Sequence, residues 1–255
     1  MATGASAGLA SESAGSRWKT PRGLWRWAVR VAAVLAVLAV IATALVPALW
    51  PLTPSVADAP RRVTADLVAH GGRELRALPS PNRVGDAIIA TENSRFESDF
   101  GLDVVSLART ALSKVTGGSD LGAATLEMQL AKNLYAPGTD IGARLRQVVL
   151  AFKLDVRYSK NDILRMYLGS AYYGHGYYGL PSASQGYFGL PPERLSWAQA
   201  SLLAGLVQAP SAYDPYHRLD LAKVRQRHVL DRLVATKDLT PDQARAAAAA
   251  PLHLQ

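Results

Sequence analysis

Glu92 is the side chain whose type and setting best suit proton transfer. It closes the apolar helical run Ala87-Ile88-Ile89-Ala90-Thr91 and is followed by Asn93, Ser94, Arg95 and Phe96. A carboxylate at the end of a core helix can be partly desolvated, and desolvation tunes a carboxylate for acid–base work. The same segment also reads as an ordinary exposed glutamate at a helix end. Other chemistry is thinly supported. With no cysteine in the chain, thiol nucleophiles, cysteine-based zinc sites and disulfides are excluded. The five histidines, at positions 70, 175, 217, 228 and 253, show no metal-ligand spacing, so no metal site is expected and each reads as a surface or loop residue. Gly174-His175-Gly176-Tyr177-Tyr178-Gly179 fits G-x-G-x-x-G but follows a helical run rather than a strand, so a tight aromatic loop is expected there. Ser16-Arg17-Trp18-Lys19 fits S-x-x-K, but its S-D-N and K-T-G partners are missing, so it is dismissed.

The elements that must hold Glu92 are helical. Val104, Val105, Leu107, Ala108, Ala111, Leu112 and Val115 form one apolar face, and Leu145, Val148, Val149, Phe152 and Val156 another. Ser196, followed by Leu202, Leu203 and Val207, opens a third helix, and Thr240-Pro241 suits the start of a last one. No long alternating stretch of strand type appears. A mainly α fold of roughly eight helices is expected.

Residues 1–22, rich in Ser, Ala and Gly, read as a disordered tail. From Val31 to Trp50 no residue is charged, and the run is almost wholly Ala, Val, Leu and Ile. At about 1.5 Å per residue it reaches about 30 Å, the thickness of a hydrocarbon core. Trp25, Trp27 and Trp50 flank it as interfacial aromatics do. The expectation is a transmembrane anchor over residues 23–50. The net charge of +8 is concentrated at that end, where five basic residues in 1–30 face Glu12 alone. This bias keeps the N-terminus cytoplasmic and puts residues 51–255 outside a cell inner (cytoplasmic) membrane. No basic stripe interleaved with aromatics appears, so nucleic acid is not expected as a partner. Residues 51–80, with their prolines and Gly71-Gly72, read as a linker of little regular structure. Residues 81–240 form the domain, and 241–255 a C-terminal helix and tail.

A family resemblance extends across that domain. Ala90-Thr91-Glu92-Asn93-Ser94-Arg95-Phe96 with Gly101-Leu102-Asp103 resembles the first signature of the peptidoglycan glycosyltransferases (glycosyltransferase family 51), roughly A-x-E-D-x-x-F-x-x-H-x-G-x-D. Thr125, Leu126, Gln129, Leu130, Lys132, Asn133 and Leu134 follow the second, and Tyr158-Ser159-Lys160 with Ile163-Leu164 and Tyr167-Leu168 a later one. Leu202-Leu203-Ala204-Gly205-Leu206, Gln208-Ala209-Pro210-Ser211 and Arg225 through Leu230 continue the match, which covers about residues 80–235 in order. The resemblance implies a lysozyme-like lobe with a membrane-proximal jaw. It also implies polymerisation of lipid II into glycan strands, with Glu92 as the base that deprotonates the acceptor 4-hydroxyl. Lipid II and the growing strand would be the partners, and a divalent cation (Mg or Mn) would accompany the substrate diphosphate. Arg95, Gln129, Lys132, Asn133, Arg144 and Gln147 fall at or near positions that bind substrate. A chain ending at Gln255 has no room for a transpeptidase, so a monofunctional enzyme working with a separate transpeptidase is expected.

The departures gather where the chemistry should be. The third signature, R-K-x-x-E, falls on Ala143-Arg144-Leu145-Arg146-Gln147, so its acid is replaced by Gln147. Glu127 replaces a hydroxyl and Met128 a glutamine in the second signature, while Asn93 and Asp99 stand for Asp and His in the first. A carboxylate such as Glu127 beside a diphosphate would be repelled. Three readings follow: an active transferase in which Glu127 or Asp155 takes over part of Gln147's role; a degenerate member that binds lipid II or a partner; and a lysozyme-like lytic enzyme.

Overall fold

The computed structural model describes residues 46–103 and 124–255, with four isolated positions before them. The tail over 1–22, most of the expected anchor and the helical face from Val104 to Val115 lie outside the described residues. Among the described residues no helix is long and apolar enough to cross a membrane.

Nine helices of nine residues or more are described: α1 (Ala59–Ala69), α2 (Arg83–Glu92), α3 (Leu126–Leu134), α4 (Ile141–Arg157), α5 (Lys160–Ser170), α6 (Leu180–Phe188), α7 (Trp197–Leu206), α8 (Leu219–Ala235) and α9 (Pro241–Ala249). The mainly α expectation holds, and the lone strand-type pairing among the described residues is a bridge between Tyr172 and Tyr178. It closes the aromatic loop read from Gly174 to Gly179, where Gly174, His175, Gly176 and Gly179 all take positive φ.

Side-chain caps fix where the helices begin. Asn82 Oδ1 accepts from Gly85 N–H, Thr125 Oγ1 from Met128 N–H, Asp140 Oδ1 from Ala143 N–H and Ser159 Oγ from Asp162 N–H. Ser196 and Thr240 form reciprocal capping boxes with Gln199 and Gln243, as their places in the sequence led one to expect. Such caps each contribute about 1 kcal/mol.

Helix α7 is buried on every side from Ala198 to Leu206 and is the centre of the domain, with α2 and α8 packed against it. Helix α3 packs on α4, α5 on α1, and α9 on α8. Two expectations are corrected. Residues 51–80 are not a linker of little structure, because α1 lies within them and buries Ala59, Val63 and Leu67 in the core. The buried face of α4 is shifted from the predicted one. Val149 is buried as expected and Leu145, Val148 and Phe152 are half-buried, but the face runs on through Ala143, Gln147, Leu150, Ala151 and Leu154, while Val156 is 67% exposed. Helix α4 is apolar on two sides, so its neighbours rather than its own periodicity choose the face. Its Lys153 is buried and donates to the carbonyls of Trp50, Thr53 and Pro54, fastening the chain before α1 onto the domain.

Candidate active site

Glu92 is the last residue of α2, where the helix dipole disfavours a negative charge by a few tenths of a kcal/mol to about 1 kcal/mol. Helix α8 supplies the compensation. Arg225 Nη2 donates to Glu92 Oε1 at 3.0 Å, and seven residues on, Arg232 Nε donates to the Ala90 carbonyl at the same helix end. Both partners of the ion pair are largely enclosed, with Glu92 20% and Arg225 12% exposed. The Arg225 stem passes close to Gly205 of α7, where an added Cβ would lie 3.0 Å from Arg225 Cγ. His228, one turn beyond Arg225, is held below its usual pKa by burial and by Arg225 and Arg232.

The other carboxylate oxygen faces α3. Gln129 Nε2 approaches Glu92 Oε2 at 3.5 Å, a long contact, and Gln129 Oε1 accepts from the Tyr167 hydroxyl of α5 at 2.9 Å. Burial pushes the Tyr167 hydroxyl far up in pKa, with Glu92 adding to the effect, so it remains a neutral donor and fixes which end of the amide faces Glu92. Next to Glu92, the Asn93 amide is buried with both polar atoms unpartnered, and so is Arg225 Nε. Three helices, α2, α3 and α8, thus meet at one carboxylate, with α5 behind Gln129.

The remaining predicted residues divide. Lys132 and Asn133, three and four residues after Gln129, are exposed on α3 and line a cavity of about 320 Å³ with Ser170, Tyr172 and Tyr178, which Glu92 does not line. Arg95 makes a two-pronged pair with Asp103 at 3.0 and 2.9 Å, both within the first signature. Arg144 is exposed and donates to the Thr139 carbonyl. Gln147, expected to touch substrate, is buried instead, and its amide donates to the carbonyls of Ala136 and Gly138 at 2.8 and 3.0 Å. It braces the turn between α3 and α4. A glutamate could not make those bonds, since it has no hydrogen to give.

Glu127, expected to repel a diphosphate or to take over part of Gln147's role, is fully buried and engaged by a lysine. Lys160 Nζ binds Glu127 at 2.7 Å, Asp155 at 2.7 Å and Asp99 at 3.0 Å. Two of the departures, Asp99 and Glu127, therefore converge on the lysine of the Tyr158-Ser159-Lys160 motif. Burial raises the Glu127 pKa despite the opposing pull of Lys160. Burial alone would depress Lys160, but the bonds from Asp155 and Glu127 push it up. Glu127 Oε2 and Asp99 Oδ2 are buried without partners. Gly101, at φ +74, lets this turn sit against α4, where a Cβ would stand 2.8 Å from the Ala151 carbonyl oxygen.

The transglycosylase family model matches residues 71–234 of this chain, more than half of it. The chain belongs to the transglycosylase family. The resemblance to peptidoglycan glycosyltransferases seen in the motifs is thus established. It is 38% identical over 177 residues to Penicillin-binding protein 1A of Neisseria gonorrhoeae, covering 69% of this chain and 22% of that protein. With Penicillin-binding protein 1A of Mycobacterium tuberculosis it shares 31% identity over 239 residues, 86% of this chain and 29% of the relative. The chain therefore spans less than a third of these relatives. A crystal structure of Penicillin-Binding Protein 1A from Haemophilus influenzae aligns at TM-score 0.36 and 31% identity, over 38% of this chain and 14% of that one. That overlap is too small to add to the fold argument.

Sequence reasoning missed Arg225 as a site residue. Its only signal was its place at the start of the last matching stretch, 133 residues from Glu92.

Proposed function

We propose that this transglycosylase family member is a membrane-anchored peptidoglycan glycosyltransferase, polymerising lipid II on the outer face of the cytoplasmic membrane through a lysozyme-like lobe and a membrane-proximal jaw. Glu92 is the general base. It takes the proton from the acceptor 4-hydroxyl, the freed oxygen attacks the donor anomeric carbon, and the lipid diphosphate departs. One observation carries the reading: Arg225 grips one oxygen of Glu92 at 3.0 Å, while the other has only a 3.5 Å contact with Gln129. A carboxylate held on one side and loosely engaged on the other is oriented and still able to accept a proton. Lys132 and Asn133 hold the departing diphosphate, as cationic and amide donors facing developing charge should. Arg144 adds positive charge, and Arg95, balanced by Asp103, contributes hydrogen-bond donors.

A protein-held divalent ion does not fit this centre. Among the described residues no group of three ligating side chains includes Glu92, and the family's second acid is here Gln147, engaged with two carbonyls. A Mg or Mn ion at this site would ride on the diphosphate oxygens, so no step is assigned to it.

Gln147 is also the observation that favours a second reading, a member that binds lipid II without turning it over. The purified full-length chain incubated with labelled lipid II and a divalent ion distinguishes them. Glycan chains that disappear in Glu92→Gln support the transferase. Saturable binding with no chains supports the binder, and release of muropeptides from sacculi would point to the lytic enzyme and defeat both.

A further inference from the structure

His175, Asp214 and His217 come from two loops and converge on one another, and none of the three has been given a role above. His175 stands at the tip of the Gly174–Gly179 loop, and Asp214 and His217 lie between α7 and α8. His175 Nε2 lies 2.8 Å from Asp214 Oδ1 and His217 Nδ1 lies 2.7 Å from Asp214 Oδ2. One ligand atom from each residue lies within 4.8 Å of the other two. The imidazole planes are nearly parallel, 8° apart with centroids 5.9 Å apart. The backbone reinforces the arrangement. His175 has φ +51, an uncommon conformation for a residue with a side chain, flanked by two positive-φ glycines. The backbone N–H of Tyr216 donates to Asp214 Oδ1, and the rings of Tyr216 and Tyr187 stand edge-on to His175. Bonds to His175 and His217 outweigh burial and hold the Asp214 carboxyl at about 2, so it is ionised throughout the working range.

The geometry points to a zinc-type cation site built from His175, Asp214 and His217, which clasps the aromatic loop to the segment leading into α8. Two imidazoles and one carboxylate are donors for zinc and related borderline metals rather than for magnesium or calcium. Around one tetrahedral zinc, bonds of about 2.0–2.2 Å put neighbouring donors roughly 3.3 Å apart. The two histidine–aspartate pairs need to open by about half an ångström, and the two imidazoles, whose donor atoms lie within 4.8 Å, can close to that spacing by a small swing of His217. His217, 73% exposed, is free to make that adjustment and leaves the outer coordination positions to water.

The test uses the full-length, untagged chain in detergent micelles, stripped with a chelator and titrated with zinc chloride in a calorimeter. One equivalent should bind and should raise the melting temperature. His217→Gln, His175→Asn (asparagine also tolerates positive φ) and Asp214→Asn should each weaken binding more than about tenfold, since losing even an outer partner of a metal ligand commonly costs that much. Cobalt(II) should give a ligand-field absorption band that each variant loses. Circular dichroism confirms that His217→Gln remains folded. Absence of zinc binding to the parent chain, or binding unchanged in all three variants, would overturn the proposal.

Discussion

Two charged centres lie within one shell of helices around α3 and α5, and they solve opposite problems. At Glu92 a single carboxylate is matched by a single guanidinium, and both stay partly open to solvent at 20% and 12%. At Lys160 one ammonium meets three carboxylates, with Asp99, Glu127 and Asp155 only 4%, 0% and 13% exposed. The first centre is balanced in charge, with one carboxylate oxygen loosely held, which suits turnover. The second is over-supplied with negative charge: Lys160 keeps 18% exposure, but Asp99 and Glu127 are almost wholly out of water, and taking several charges out of water is costly unless each is paired. The comparison separates two kinds of departure from the family pattern. Asp99 and Glu127 share Lys160, whose charge offsets part of the cost of burying them, while each carboxylate raises the cost of the other. Gln147 departs alone and has become structural.

The sharpest break in that comparison comes from Glu92→Gln, which should lower lipid II polymerisation by about 10²–10⁴-fold, the usual contribution of a positioned base. Thermal unfolding of the same variant should shift only modestly, because Arg225 loses its counter-charge but keeps an amide oxygen as acceptor. Lys160→Met should do the reverse in kind, costing about 3–5 kcal/mol in denaturant unfolding because it strands buried carboxylates. The sign of the pH effect follows from the directions of the shifts. The raised folded pKa of Lys160 gives stability that is present below its ordinary value of 10.5 and lost as pH rises through the folded value. Glu127, also raised, opposes folding as pH climbs from its ordinary 4.5 through its folded value. The Lys160→Met defect should therefore shrink in mildly acidic buffer, where Glu127 can be neutral, and a defect that grew there would contradict this account.

Gln147→Glu should not raise activity. It sets a carboxylate against the Ala136 and Gly138 carbonyls and should cost about 1–3 kcal/mol, with no gain in glycan chain synthesis. A rise in synthesis would return Gln147 to the catalytic machinery. Tyr167→Phe removes the hydroxyl that orients Gln129, for about 0.5–1.5 kcal/mol of stability and a modest loss of rate. The smallest effect is expected of Glu127→Thr, which restores a hydroxyl and removes a buried unpartnered oxygen while Lys160 keeps two acids. Its stability should lie within about 1 kcal/mol of the parent, and it should relieve part of the Lys160→Met defect in the double variant.

The sequence by itself determined the helical class, the capped starts at Ser196 and Thr240, the aromatic loop at Gly174–Gly179, the family and the candidate Glu92. These are legible because caps, turn glycines and motif residues act over a few positions of chain, where spacing is geometry. The tertiary structure alone decided which face of α4 is buried, that residues 59–69 form a packed helix, and that Arg225 pairs with Glu92. It likewise decided that Asp99 and Glu127 share Lys160 and that Gln147 braces a turn. Each of those outcomes depends on charges and faces that meet across gaps of tens of residues or more. Coulomb and packing forces act through space, and one strand of sequence records only the order along the chain.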